Sequence, residues 1–371
     1  CINTTYWMPL TLTNEPLGRR FSMKEFQPDY RNLVLAAINQ PTQRLPLYEH
    51  IVSENVMEKI LNRPFADLYN GDSSDRKEFF HNYTSFFLQM GYDTVSFERC
   101  IGPVMPGSGA LGQHKPGVIK TREDFDAYPW ESIPDAYFET YGPDFALLRD
   151  TMPPGMKGVG GPGNGVFELV QDVVGFEELC YIRIDDPDLY GDLFAAVGHM
   201  MATIWSRFLK EYGDIYAVCR FGDDLGFKTA TLLPPQDICR HIVPQYKKIV
   251  ALAHSHGKPF VLHSCGHIFE VMDEMIDVAK IDAKHSNEDA IAPFSTWLER
   301  YGHQIGNFGG IDMDVICQYD EQAIREYVND VLEYCRGWQG VAVGTGNSVP
   351  DYVPVTGYLA MVETIREFRG E

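Results

Sequence analysis

Positive charge is what this sequence has little of. Across 371 residues, 31 Lys and Arg stand against 52 Asp and Glu, a formal charge of −21. Such a field repels phosphate backbones and anionic lipid, so neither nucleic-acid binding nor attachment to a membrane surface is expected. Cysteine pairing is also missing. The eight Cys, at 1, 100, 180, 219, 239, 265, 317 and 335, include no CxxC and no regular spacing. Disulfide frameworks belong to short secreted chains, so these read as the reduced thiols of a cytoplasmic protein. No apolar run reaches the roughly 18 residues of a membrane span, and no basic segment with a following apolar core marks a secretory signal. With 44% hydrophobic and 22% charged residues, disorder and low-complexity classes are excluded as well.

From residue 28 onward, short apolar runs alternate with stretches of helical periodicity. Eight runs end in polar or glycine-rich sequence: 44–50, 92–98, 157–162, 215–223, 259–265, 281–285, 304–309 and 340–344. Between them lie amphipathic segments such as 237–256 and 321–334, and a first helix is expected at 28–39. Eight strands alternating with helices predict an α/β fold, a (β/α)8 TIM barrel with right-handed crossovers. A doubly wound sheet would want a glycine-rich phosphate turn after its first strand, and Leu47-Tyr48-Glu49-His50 has none. The expected organisation is one barrel domain over residues 28–371, with an N-terminal helical extension and a lid-like excursion after the second strand, at 100–150. Residues 1–27 are set aside as an extension of uncertain origin.

Active sites of such barrels gather at the carboxyl ends of the strands. The sharpest feature there is Val261-Leu262-His263-Ser264-Cys265-Gly266. Residues two apart on a strand face the same side, so His263 and Cys265 can point into one site as an imidazole–thiolate pair of the kind that binds zinc. The alternative is a pair of buried core residues. Gly222-Asp223-Asp224-Leu225-Gly226 closes another strand; its acids could handle protons or cap a helix. His285 and Glu49 end two more. Three glycine-rich loops read as places where a ligand lies against the backbone: Gly160 to Gly165 with Asn164, Gly309 to Asp312, and Gly344 to Asp351 with Asn347 and Ser348. Sharp strand-to-helix turns would require the same glycines.

Leu262-His263-Ser264-Cys265-Gly266, Asp223-Asp224-Leu225-Gly226 with Leu233-Pro234-Pro235, Gly309-Gly310-Ile311-Asp312, and the run from Gly344 to Pro350 resemble the uroporphyrinogen decarboxylase superfamily. They look most like its corrinoid-dependent methyltransferase branch. The resemblance implies a barrel and, in that branch, a zinc ion held by His-x-Cys and a later Cys. His263 and Cys265 match the first two ligands. The last strand end reads Gly-Thr-Gly-Asn-Ser, without the third; Cys317 is the nearest substitute, and Glu49, Asp223 or Asp224 could supply an oxygen instead.

The resemblance makes the chain an expected enzyme, a zinc-dependent methyltransferase. It would move a methyl group between a small methylated substrate or thiol and a corrinoid (cobalamin) cofactor carried by a partner protein. Catalytic roles are expected for Asp223, Asp224, Glu49 and His285, substrate contacts for Asn164, Asp312, Asn347 and Ser348, and metal ligation for His263, Cys265 and Cys317. A homodimer is left open. The alternatives are a uroporphyrinogen-type decarboxylase and a non-catalytic corrinoid- or tetrapyrrole-binding protein. The decarboxylase fits less well, because Glu49 closes the strand where its arginine-rich signature would lie.

Overall fold

Seven of the eight apolar runs become strands: β1 Thr94–Cys100, β2 Lys157–Gly163, β3 Tyr216–Gly222, β4 Phe260–His263, β5 Ala283–His285, β6 Gly306–Ile311 and β7 Val341–Thr345. The computed structural model describes residues 26–371, so the extension at 1–27 lies almost wholly outside the described residues. The strands pair in chain order, β1 to β7, and every pairing is parallel. Helices such as Ile133–Thr151, Pro187–Tyr212, Val243–Ser255 and Glu321–Cys335 make the crossovers. Both faces of the sheet are therefore covered, and every residue of β3, β4 and β6 is buried.

The first predicted strand, 44–50, departs from expectation. It is extended but makes only a single parallel bridge, Leu47 to Val343 of β7. Tyr48 N–H donates to Val343 O and Val343 N–H to Pro46 O. Pro46 itself has no N–H to offer. Towards β1 the segment is held by side chains instead: Ser96 Oγ donates to His50 O, and the buried Arg220 of β3 donates to Tyr48 OH (3.1 Å), Ser96 Oγ (2.9 Å) and Glu49 O (3.5 Å). The same guanidinium pairs with Glu98 of β1 through Nη2 at 2.8 Å and Nε at 3.1 Å. The sheet thus curls into a TIM-like barrel whose eighth position is an extended segment joined to its neighbours mostly by side chains.

The helical extension is the helix Arg31–Ala37. Its Leu33, Ala36 and Ala37 pack with Val159, Ala217, Val261, Ala283, Phe308 and Ala342, sealing the amino-terminal end of the barrel. The excursion after β1 is shorter than 100–150. Residues 101–121 form loop and one 3₁₀ turn, whereas Ile133–Thr151 is the crossover helix to β2, with Tyr137, Phe138, Phe145 and Leu148 buried. Its proline and tyrosine content concealed an ordinary crossover: Pro134 sits in the first helical turn, where a missing N–H costs nothing.

We propose that residues 28–371 fold as one unit, closed by the Arg220–Glu98 pair. A single unfolding transition, superimposable by fluorescence and circular dichroism, is the expected result; two separated transitions would contradict it. Glu98→Gln leaves a buried guanidinium without its counter-charge and is expected to lower unfolding free energy by roughly 3–5 kcal/mol.

Candidate functional site

The strand register assembles the site. Gly222 of β3 pairs with His263 of β4, and His263 pairs with His285 of β5. His263 and His285 therefore emerge side by side at the carboxyl end, with Nδ1 of one 2.7 Å from Nδ1 of the other. His285 Nε2 lies 3.0 Å from Thr345 O of β7. His50 stacks on His263, ring centroids 3.8 Å apart. Cys265 follows β4 in a loop whose Gly266, at φ +86°, passes so close to Gly226 that a Cβ would lie 2.2 Å from its carbonyl carbon. That backbone approach brings the loops after β3 and β4 together. Asp224 Oδ1 consequently accepts from Cys265 N–H at 2.9 Å and lies 3.8 Å from His263 Nε2, while Cys265 Sγ is 3.5 Å from the same nitrogen.

Two groups of potential metal ligands exist among the described residues: Asp224, His263 and Cys265, and His50, His263 and His285. Bond lengths of 2.0–2.3 Å around a tetrahedral zinc imply ligand-to-ligand distances of about 3.5 Å. The first group shows 3.5 and 3.8 Å. In the second, the Nδ1 atoms of His263 and His285 at 2.7 Å are hydrogen-bonded to each other and too close to share a cation. The spacing of the Asp224–His263–Cys265 set is compatible with a zinc ion. Burial pushes the Cys265 thiol up to about 12, and Asp224 adds to the effect. Asn347 Nδ2 and Ser286 Oγ each donate to Sγ at 3.4 Å. Without a cation the sulfur therefore keeps its proton, and only a bound cation would make the thiolate favourable beside Asp224. Burial holds His263 and His50 well below the usual range and His285 at about 3, so all three rings are neutral.

Other predicted residues separate from this centre. Cys317 is on the helix Met313–Gln318, packed against the hydrophobic core, and belongs to neither ligand group. Asp312 is the N-cap of that helix, accepting from Asp314 N–H at 2.7 Å, and it also takes Asp289 N–H. Ser348 N–H is turned onto Asn347 Oδ1. Gly160 and Gly161 face Phe97 O and Trp205, so they admit protein neighbours and not a ligand.

The adjacent acids divide. Asp223, with no exposed surface, takes Phe167 N–H and Glu168 N–H at 2.9 Å each, together with Tyr246 OH. It caps the helix Val166–Val174 from another strand, because N-cap Gly165 has no side chain; a Cβ there would sit 2.0 Å from Asp223 Cβ. Asp224 stays 46% exposed at the mouth. Glu168 was not foreseen. It accepts from Asn164 Nδ2 at 3.0 Å and Asp224 N–H at 3.4 Å, and burial with the Asp223 charge raises it to about 8. Burial raises Asp223 as well, to about 7, but its three donors make it the more acidic of the two, so Glu168 is the first to take a proton. Only the crossover topology brings Glu168 here. Arg220 had a signal, a lone charge inside an apolar strand.

Glu49 lies beneath the mouth, accepting from Thr345 N–H at 3.2 Å and Tyr92 OH at 3.3 Å, and from Thr345 Oγ1. Burial raises it to about 8. Beside the mouth, under residues 101–115, is a cavity of about 400 Å³ lined by Cys100, Asn164, Glu168, Asp172 and residues of the excursion, including Gln113 and Lys115. Asp172 holds its roof by accepting from Gly109 N–H and Leu111 N–H.

The model of the uroporphyrinogen decarboxylase (URO-D) family matches residues 114–368. The chain belongs to the uroporphyrinogen decarboxylase family. Among solved structures, a methyltransferase from Methanosarcina mazei superposes with a TM-score of 0.68 at 15% identity, covering 92% of this chain and 99% of that one. A protein described as a vitamin-B12-independent methionine synthase from Listeria monocytogenes gives 0.51 at 11% identity, covering 89% and 100%. At these identities the likeness is one of fold. No curated protein sequence matches the chain. No helix among the described residues is long and apolar enough to cross a membrane.

The two buried acids give different expected outcomes. Asp223→Asn presents an amide to a helix end and is expected to cost about 1–3 kcal/mol in stability, with turnover per folded molecule unchanged; a loss of turnover at constant melting temperature would make Asp223 catalytic. Between pH 4.5 and about 8 the unfolded chain releases the Glu49 proton while the folded chain keeps it. The unfolded state then binds fewer protons, so this group's stabilisation is full at low pH and declines as pH rises. Denaturant midpoints of Glu49→Gln should decline less over that window than those of the wild type.

Proposed function

We propose that this family member is a zinc-dependent methyltransferase, moving a methyl group between a small methylated substrate or thiol and a corrinoid carried by a partner protein. The observation that carries the reading is the Asp224–His263–Cys265 set at the carboxyl end of β4, spaced for one tetrahedral ion with a position to spare. A zinc ion there would supply Lewis acidity, polarising a heteroatom or lowering the pKa of a thiol. The chain's own groups do the rest. Asn347 and Ser286 orient the Cys265 sulfur. Asp224 supplies the carboxylate of the set from the mouth and holds the Cys265 backbone by accepting its N–H at 2.9 Å. Glu49 and His285, buried and tied to fixed partners, support the site and do not shuttle protons.

The cavity under residues 101–115 is the place for the small substrate, with Asn164 in its wall and Glu168 linking it to Asp224. At about 400 Å³ it is near the lower end of ligand pockets, which run roughly 300–1,000 Å³. A corrinoid macrocycle is therefore presented from outside the mouth by its carrier. The decarboxylase reading has less support: the guanidinium inside the barrel, Arg220, is already neutralised by Glu98, leaving it unavailable to a substrate rich in carboxylates. Free thiols at Cys100, 180, 219, 239, 265, 317 and 335 suit a cytoplasmic setting.

Metal analysis of the purified protein is expected to find one zinc per chain in the wild type and in Cys317→Ala, and little in Cys265→Ala or Asp224→Ala. Equal zinc in the wild type and Cys265→Ala would sink the ligand set. Methyl transfer is read from the cobalt absorption spectrum when methylated corrinoid is mixed with the enzyme and candidate thiols, or reduced corrinoid with candidate methyl donors. No spectral change with any pairing, from zinc-loaded protein, would remove the methyltransferase reading.

A further inference from the structure

The contact between two imidazoles determines more than their distance. Thr345 O is a carbonyl oxygen and can only accept, so the His285 nitrogen 3.0 Å from it, Nε2, carries a hydrogen. A neutral imidazole has one N–H, and a second proton on His285 would place a cation with no exposed surface in an interior that already contains the Arg220 guanidinium. His285 Nδ1 is therefore a bare acceptor. It lies 2.7 Å from His263 Nδ1, a separation that requires a proton between the two nitrogens. That proton belongs to His263. The remaining nitrogen of His263, Nε2, is left with its lone pair, and it is the atom 3.5 Å from Cys265 Sγ and 3.8 Å from Asp224 Oδ1.

We infer that His285 is a positioning residue: held by Thr345, it fixes the tautomer of His263 so that Nε2 faces the Asp224–Cys265 side as a ready metal ligand. The relay has a second stage. Glu49 accepts from both Thr345 N–H and Thr345 Oγ1, so the strand end carrying the accepting carbonyl is itself pinned. His50, stacked on His263 with planes 15° apart, restricts ring rotation from the other side. The role of the relay rests on the proposed ligand set, but the tautomer is a property of the metal-free chain and can be read without metal.

The test pairs two measurements. Nitrogen-15 NMR of imidazole-labelled, metal-free protein should show His263 with Nδ1 protonated and Nε2 bare; the opposite assignment overturns the inference. Zinc affinity, measured by chelator competition, should fall about 10–100-fold in His285→Ala, the range typical of lost partners of a ligating histidine. In His285→Asn the side-chain oxygen can take the place of Nδ1 as acceptor, so affinity should stay within a few-fold of the wild type. Asn losing as much as Ala would show that bulk, not the acceptor, is what counts, and would overturn it. Melting temperatures of the metal-free variants identify any that fail to fold, and the wild-type NMR assignment decides the tautomer regardless of them. A wild type that binds no zinc yet shows the stated tautomer upholds the relay and removes the ligand set instead.

Discussion

A guanidinium with no exposed surface lies inside this barrel, and the site depends on its being fully paired. Removing an ion pair from water costs several kcal/mol per ion unless geometry and further hydrogen bonds compensate. Arg220 meets that condition: Glu98 takes two of its N–H groups, and Tyr48, Ser96 and the Glu49 carbonyl accept from a third nitrogen. These partners come from β1 and the extended segment at 46–50, the place where the ladder of strand hydrogen bonds is interrupted, and Arg220 itself is on β3. The ion pair therefore closes the barrel where backbone pairing does not. It also sets the position of Glu49 and His50, and through them Thr345 and the ring of His263.

Burial raises all three buried acids near the mouth, and between the two that face each other the supply of donors decides which takes a proton first. Asp223 and Glu168 are both deeply buried and close enough to repel, and three donors on Asp223 leave Glu168 as the one that takes a proton. Glu49, with donors from Thr345 and Tyr92, is still raised to about 8, because burial outweighs those hydrogen bonds. Asp224 stays half-exposed at the mouth. Two consecutive acids thus do different work for a geometric reason: successive residues of extended chain point in opposite directions, one to a helix end and one to the mouth.

Much of this was legible in the sequence because parallel strands buried on both faces announce themselves as short apolar runs between helical segments. Seven of eight runs became strands. The exception at 44–50 contains Pro46 and bridges only β7 through its backbone, while towards β1 its partners are side chains that no periodicity reveals. His263 and Cys265 were visible as a same-face pair, but the choice of third partner was not, because the Gly226–Gly266 approach that brings Asp224 to them is a contact between two loops. Cys317 and Asp312 show the opposite error. Their residue types suggested ligation and binding, yet a core helix and its cap explain both. Glu168 had no local signal at all.

The absence of a cysteine at the last strand end acquires a chemical meaning on the proposed reading. The resemblance implies one imidazole and two thiolates around zinc, which together cancel the charge of a divalent ion. An imidazole, a thiolate and a carboxylate cancel it equally, so replacing the later cysteine by Asp224 preserves neutrality in a site where excess charge would be costly. What changes is softness and access. A carboxylate oxygen is a harder donor than sulfur. It comes here from a residue 46% exposed at the mouth, whereas Asn347, on the loop where the resemblance leaves its third ligand missing, donates a hydrogen bond to the Cys265 sulfur. On that reading the last strand end would support a ligand and not supply one, and the open side of the centre would face Asp224, Glu168 and the cavity beneath the excursion.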